Sequence, residues 1–183
     1  MPQDSIISFD RDRWLRALEE IAIALGKEGD PVEICLIGSA ACLFGGMDGR
    51  TSRDLDIWEP ASNYDTAELR KAAESAELLF NPNSFSEPSV PYLQIVEPGL
   101  VQIGDFIPVR LMRMGRLHLT KPPIENLIAA KLIRCEEKDL ADIRYLISQY
   151  VPNLEAVSGI ISTFPQAARE KATENLVYLE VFK

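Results

Sequence analysis

Two aspartates, Asp54 and Asp56, stand one residue apart in the run Asp54-Leu55-Asp56-Ile57-Trp58, where polar and apolar residues alternate. Alternation of period two reads as a β-strand, and residues i and i+2 of a strand point to one side, roughly 6–7 Å apart. Two carboxylates so placed can grip a hard cation together. Magnesium takes oxygen ligands and keeps several waters, and phosphoryl-transfer sites set their ions between such acids. The same pattern suits a solvated strand edge with Leu55 and Ile57 turned into the core, and Asp-x-Asp alone does not separate the two. Upstream, Ile37-Gly38-Ser39-Ala40 closes an apolar run and opens a stretch of small residues. Glycine lets backbone approach a ligand closely, and a serine hydroxyl with the free amides of a helix start can donate to phosphate oxygens. Ser39 as a plain N-cap is the other reading. Arg50 and Arg53 flank the loop into Asp54, where they can pair with the carboxylates, meet substrate charge or stand in solvent.

Further along, Lys131 lies among Leu127, Ile128 and Leu132 at helical spacing, so it leans to the core side, to seek an anion or to snorkel outward. Asp139 and Asp142 are three apart and share a helical face, although Asp139 also suits a cap. Arg110, Arg113, Arg116 and Lys121 gather positive charge that could face a triphosphate or an RNA end, or could simply keep a strand edge solvated. The single histidine, His118, alternates with Leu117 and Leu119, so neither a histidine triad nor a zinc cluster can be built on it. No GxxxxGK[ST] loop and no GxGxxG after a strand occurs. An aspartyl phosphatase reading of Asp54 and Asp56 would want a polar group where Ile57-Trp58-Glu59 stands, and ranks last.

The elements that must position these residues follow from periodicity. Trp14, Leu15, Leu18, Ile21, Ala22 and Leu25 mark an amphipathic helix over Arg11–Lys27. Val32–Ile37 predicts a strand, Gly38-Ser39 a tight turn, and AACLF a short helix. The glycine-rich Gly45–Arg53 is a loop delivering the chain into the acidic strand. Asp65 or Thr66 caps a helix running to near Leu79, with a Pro/Asn/Ser-rich loop through Pro91. Tyr92–Val96 and Leu100–Phe106 flank Glu97-Pro98-Gly99 and predict a hairpin, and Val109–Leu119 adds a turn at Met114-Gly115. Helices follow from Pro122-Pro123 through Leu132, over Asp139–Gln149, and twice more before the end. The expected fold class is α+β, a mixed β-sheet flanked by helices, with residues 1–119 as the core and N-terminal helix and residues 120–183 as a helical C-terminal part packed on it.

With 183 residues, 46% hydrophobic and 26% charged, the chain has the profile of an ordinary globular unit and excludes a fibre or a disordered tail. A net charge of −9 argues against broad adhesion to nucleic acid or an anionic membrane. Cys35, Cys42 and Cys135 form no CxxC pair, the N-terminus lacks a secretory pattern and no spanning apolar run occurs, so a cytoplasmic location without membrane partners is expected.

Taken together, a strand ending in Gly38-Ser39, a short helix, an arginine-bearing loop and Asp54-x-Asp56 resemble the nucleotidyltransferase superfamily, the polymerase-β-like fold. The run GSAACLFGGMDGRTSRDLDIW looks most like the bacterial minimal nucleotidyltransferases related to AbiEii-type toxins of toxin–antitoxin systems. Leu127–Leu132 and Lys138–Ile143 match the helical pieces of that group, so the resemblance spans roughly residues 32–147. It implies Mg²⁺- or Mn²⁺-dependent transfer of a nucleoside monophosphate from an NTP to an acceptor hydroxyl, on a tRNA end or a protein side chain, with a cognate antitoxin as a partner. It implies Gly38 and Ser39 at the triphosphate, Asp54 and Asp56 on the metal, Lys131 as a catalytic cation near the phosphates and a site role for Asp139 with Asp142; Arg50 and Arg53, by their charge beside the loop, are the further nucleotide-binding candidates. The superfamily's third carboxylate, carried by a later strand, falls best on Asp105, which follows Gly104 where an apolar residue is usual. The alternative is a non-catalytic domain of the same fold that binds a nucleotide or a protein.

Overall fold

The computed structural model describes residues 7–82 and 90–182. The expected Pro/Asn/Ser-rich loop before Pro91 and the start of the N-terminus lie largely outside the described residues. The chain divides into two compact units, Met1–Glu97 with Arg110–Lys121, and Pro98–Val109 with Pro122–Lys183.

In the first unit, helix α1 spans Arg11–Leu25 and buries Trp14, Ala17, Leu18, Ile21 and Leu25. Asp10 caps it by accepting from the Arg13 N–H at 2.9 Å. It ends two residues earlier than the periodicity suggests because Gly26 turns left-handed with φ +73° and closes the last turn. Strand β1 spans Val32–Cys35, helix α2 Ala40–Gly45 and strand β2 Asp54–Trp58. Helix α3 covers Thr66–Ser75 with Asp65 as its N-cap, and packs on α1. It stops short of Leu79 because Glu77 takes a left-handed φ of 57°, which frees Leu79–Phe80 to form β3.

Strand β4 spans Tyr92–Val96. It runs parallel to β2 on one side and to β3 on the other, giving the order β2-β4-β3. Strands β5, Val109–Met114, and β6, Leu117–Lys121, join across the Gly115 turn, and β6 pairs parallel with β1 in the order β1-β6-β5. The two ladders meet at an antiparallel bridge between Leu36 and Ile57, where Ile37 N–H donates to Asp56 O at 2.9 Å. The core between sheet and helices is built on Trp14, Leu18, Ile21, Ile34, Leu36, Leu43, Leu55, Ile57, Leu69, Leu93, Leu117 and Leu119. The fold is α+β.

The expected hairpin is corrected by these pairings. Tyr92–Val96 is a strand, but its neighbours are β2 and β3, and residues 100–106 form no strand. Pro98 cannot donate to a ladder, Gly104 sits at φ +71°, and Pro108 interrupts again. The segment belongs to the second unit, where Asn126 Nδ2 donates to Ile103 O at 2.8 Å and to Asp105 O at 3.3 Å.

The second unit also holds α4 (Ile124–Arg134), α5 (Glu137–Tyr150), α6 (Leu154–Ser162), α7 (Gln166–Glu174) and α8 (Val177–Val181). Helix α4 packs against α5, α6 and α7 through Leu127, Ile128, Ala129 and Leu132. Among the described residues no helix is long and apolar enough to cross a membrane.

Candidate active site

Strand β2 alternates as the sequence requires: Leu55 and Ile57 are buried, and Asp54 and Asp56 share the half-buried opposite face. The Leu36–Ile57 bridge carries the end of β1 alongside this strand, so the turn at Gly38 arrives beside Asp56. A Cβ built on Gly38 would stand 2.7 Å from Asp56 Oδ2, and Gly38 has φ +67°. Glycine is demanded there twice, by backbone conformation and by the approach of a carboxylate.

Ser39 begins α2 without bonding to its helix's amides, so it is not the plain cap the sequence allows. Its Oγ instead accepts a hydrogen bond from Arg50 Nη2, which brings the loop arginine onto the Gly-Ser corner. Gly38, Ser39, Arg50 and the acidic strand are therefore one constellation within the first unit. Arg53 is half-buried just before the strand, and its carbonyl accepts from Tyr92 N–H at 3.1 Å.

Two residues that sequence reasoning missed complete it. Ser52 Oγ donates within reach of Asp54 O at 2.8 Å and Asp54 Oδ1 at 3.1 Å, and Tyr92 Oη donates to Asp54 Oδ2 at 3.2 Å. The parallel register sets Tyr92 directly opposite Asp54. Burial, then the charge of Asp54 and its hydrogen bond, raise the Tyr92 phenol above its ordinary value, with Asp56 pushing the same way and Arg53 opposing. Extending the period of two back from Asp54 would have reached Ser52, but nothing local announces Tyr92.

The donor set for a divalent cation is two carboxylates on one strand face. Among the described residues no three His, Cys, Asp or Glu side chains gather into a group that could hold a metal. Two carboxylates on one face, that of Asp54 held by hydroxyl partners, fit magnesium or manganese, whose remaining positions water can fill.

The other expected site residues lie in the second unit. Asp105 is exposed in the 98–109 segment and is not strand-borne. Lys131 is buried, with its Nζ 2.6 Å from Asp142 Oδ2 and 3.7 Å from Asp139 Oδ1. Arg134 holds Asp139 through two hydrogen bonds, Nε–Oδ2 at 2.8 Å and Nη2–Oδ1 at 2.9 Å. Asp139 also accepts from the Glu136 N–H at 3.3 Å, the cap role its position suggested. Lys131 and Asp139 are thus together, in an ion-pair network that ties α4 to α5.

The positive group of Arg110, Arg113, Arg116 and Lys121 does not act as one patch. Arg116 is nearly enclosed and binds Glu68 Oε1 at 2.8 Å, Leu25 O at 2.6 Å and Asp30 O at 2.9 Å, tying the end of α1 to α3. Lys121 is buried, and Arg110 and Arg113 are exposed on β5.

A family model described as "nucleotidyltransferase of unknown function (DUF6036)" matches residues 13–182. No curated protein and no solved structure matches this chain.

Proposed function

From the premise that this chain belongs to that family of nucleotidyltransferases, we propose that it moves a nucleoside monophosphate from an NTP to an acceptor hydroxyl, with Mg²⁺ or Mn²⁺ held by Asp54 and Asp56. The observation that carries this reading is the contact of the Gly38 corner with the Asp56 carboxylate, because polyphosphate and cation must meet within bonding distance. The Gly38 backbone, the Ser39 hydroxyl and the Arg50 guanidinium, already on that hydroxyl, are the donors for the triphosphate oxygens. Arg53 adds positive charge beside the strand. The bound ion would supply charge neutralisation on the phosphoryl oxygens and a lowered pKa at the acceptor hydroxyl. The acceptor oxygen bonds to the α-phosphorus as its proton passes to solvent, the bond from the α-phosphorus to the oxygen bridging the β-phosphate breaks, and pyrophosphate leaves with that electron pair.

No chemical step is assigned to Lys131, whose ammonium is committed to Asp142 and Asp139. The AbiEii-like pattern makes a toxin the biological context proposed, with a tRNA end or a protein side chain as acceptor and an antitoxin as partner.

Incubation with α-³²P-labelled NTPs, Mg²⁺ and either total tRNA or total protein tests the reading. Label is expected in one acceptor pool with wild type and reduced at least 100-fold with Asp56→Asn. Equal labelling by both proteins refutes it. The absence of a three-ligand acidic group among the described residues favours one second reading, a domain that binds NTP without turnover. Calorimetric NTP affinity with no labelled product would establish it in place of the first.

A further inference from the structure

Asp54 and the acids of the α4–α5 network are held by different chemistry. In the second unit, Asp139 and Asp142 are paired with Arg134 and Lys131, cations that cancel their charge. In the first unit, the Asp54 carboxylate takes the Tyr92 hydroxyl on one oxygen and, on the other, the Ser52 hydroxyl, whose one proton is shared with the Asp54 carbonyl at 2.8 Å. A hydroxyl fixes a carboxylate's rotamer and leaves its full negative charge in place, whereas a guanidinium would compete with any cation for it. Each oxygen of an ionised carboxylate can take two partners, so one hydroxyl on each leaves both oxygens with room for a metal.

Both hydroxyls are themselves fixed. Ser52 is buried and exchanges two backbone hydrogen bonds of 2.9 Å with Phe9, and its carbonyl accepts from Trp14 Nε1 at 3.0 Å. Trp14 is fully buried and meets Phe9 edge to face at 5.3 Å. Tyr92 is locked by the β2–β4 register opposite Asp54. The N-terminal helix and strand β4 therefore converge on one carboxylate from two directions.

We infer that Ser52 and Tyr92 are positioning residues for the cation site, a pair of neutral hydroxyls that aims the Asp54 carboxylate while keeping it charged, with Trp14 anchoring Ser52. This rests on the reading that Asp54 holds a metal, and it adds to that reading the residues on which affinity depends.

Mn²⁺ binding to the full chain, followed by electron paramagnetic resonance of the free ion, tests it without reference to turnover. Tyr92→Phe removes one oxygen atom and leaves the ring, so its melting temperature should match wild type. Its Mn²⁺ affinity is expected to fall about 10- to 100-fold, the usual effect of removing an outer-shell partner. Ser52→Ala should do the same, and Ser52→Thr, which keeps the hydroxyl, should recover most of the affinity. In turnover, kcat should fall with the KM for NTP little changed. Unchanged Mn²⁺ affinity in Tyr92→Phe, or a loss that Ser52→Thr shares with Ser52→Ala, overturns the inference. If wild type binds Mn²⁺ with this dependence but transfers no label, the enzymatic reading fails and the positioning role stands. If label is transferred and the variants bind Mn²⁺ as wild type does, the positioning role fails alone. A wild type that takes up no Mn²⁺ removes both.

Discussion

Gly38→Ala is the substitution that most directly probes the geometry at the acidic strand. Two costs are separable. The first is conformational: Gly38 lies at φ +67°, where an L-residue costs about 1–2 kcal/mol. The stiffer unfolded chain of the alanine variant offsets about 0.4–1 kcal/mol of that, leaving a net loss of roughly 1 kcal/mol and a melting shift of roughly 2–4 °C for a chain of this size. The second is steric: the new methyl would stand 2.7 Å from Asp56 Oδ2, against 3.4 Å at the near edge of ordinary contact, so the carboxylate or the turn must move by about 0.7 Å. Misplacement of about 1 Å at a reacting centre can cost about 100-fold, so transfer and Mn²⁺ affinity should each fall about 10- to 100-fold. Gly115→Ala is the control, because Gly115 also has positive φ, +57°, but a Cβ there meets nothing within 4 Å. It should reproduce the melting shift and leave the site intact. The assay is paired scanning calorimetry and Mn²⁺ titration on both variants. If Gly38→Ala loses no more affinity or transfer than Gly115→Ala, the contact between corner and carboxylate has no functional weight and the argument from it is wrong.

Three other outcomes are expected. Lys131→Met removes the ammonium 2.6 Å from Asp142, which is fully buried, and should destabilise the chain by about 3–5 kcal/mol in urea unfolding, with part recovered in Lys131→Met/Asp142→Leu. Burial pushes the Asp139 carboxyl up, but the Arg134 hydrogen bonds, the charges of Lys131 and Arg134 and the Glu136 N–H outweigh it and hold the carboxyl below its usual 3.8. As pH falls the unfolded chain takes that proton first, so this contribution is full above about pH 5 and drains from 3.8 downward. Urea midpoints of wild type and Arg134→Gln should therefore differ by a constant amount at neutral pH and converge in strong acid. Burial pushes the Cys35 thiol up to about 11, against a smaller lowering by Thr120, so iodoacetamide at pH 8 should label it only after unfolding; rapid labelling of the native protein would contradict its enclosure.

Much of the site was legible because its signals are local. The alternation in Asp54-Leu55-Asp56-Ile57 dictates a strand with one acidic face, and the break at Gly38-Ser39 dictates a turn, whatever the rest of the chain does. The amphipathic pattern around Trp14 likewise specified a helix, since burying that stripe stabilises no other conformation as well. Spacing placed Lys131 on the core side of one helix and Asp139 with Asp142 on one face of the next, but that the three join in one ion-pair network came from packing.

What the linear pattern could not carry is which strands pair. Tyr92–Val96 read as half of a hairpin because the next apolar run was close in sequence, yet its hydrogen bonds go to β2 and β3, and that register alone sets Tyr92 against Asp54. Arg116 read as one of a basic group, but only packing could fold it inward onto Glu68 and the end of α1. Residue types and their period determined the chemistry available and the faces it occupies. Partners distant in the chain were decided by tertiary structure, because ladder hydrogen bonds and burial reward proximity in space, which local periodicity does not encode.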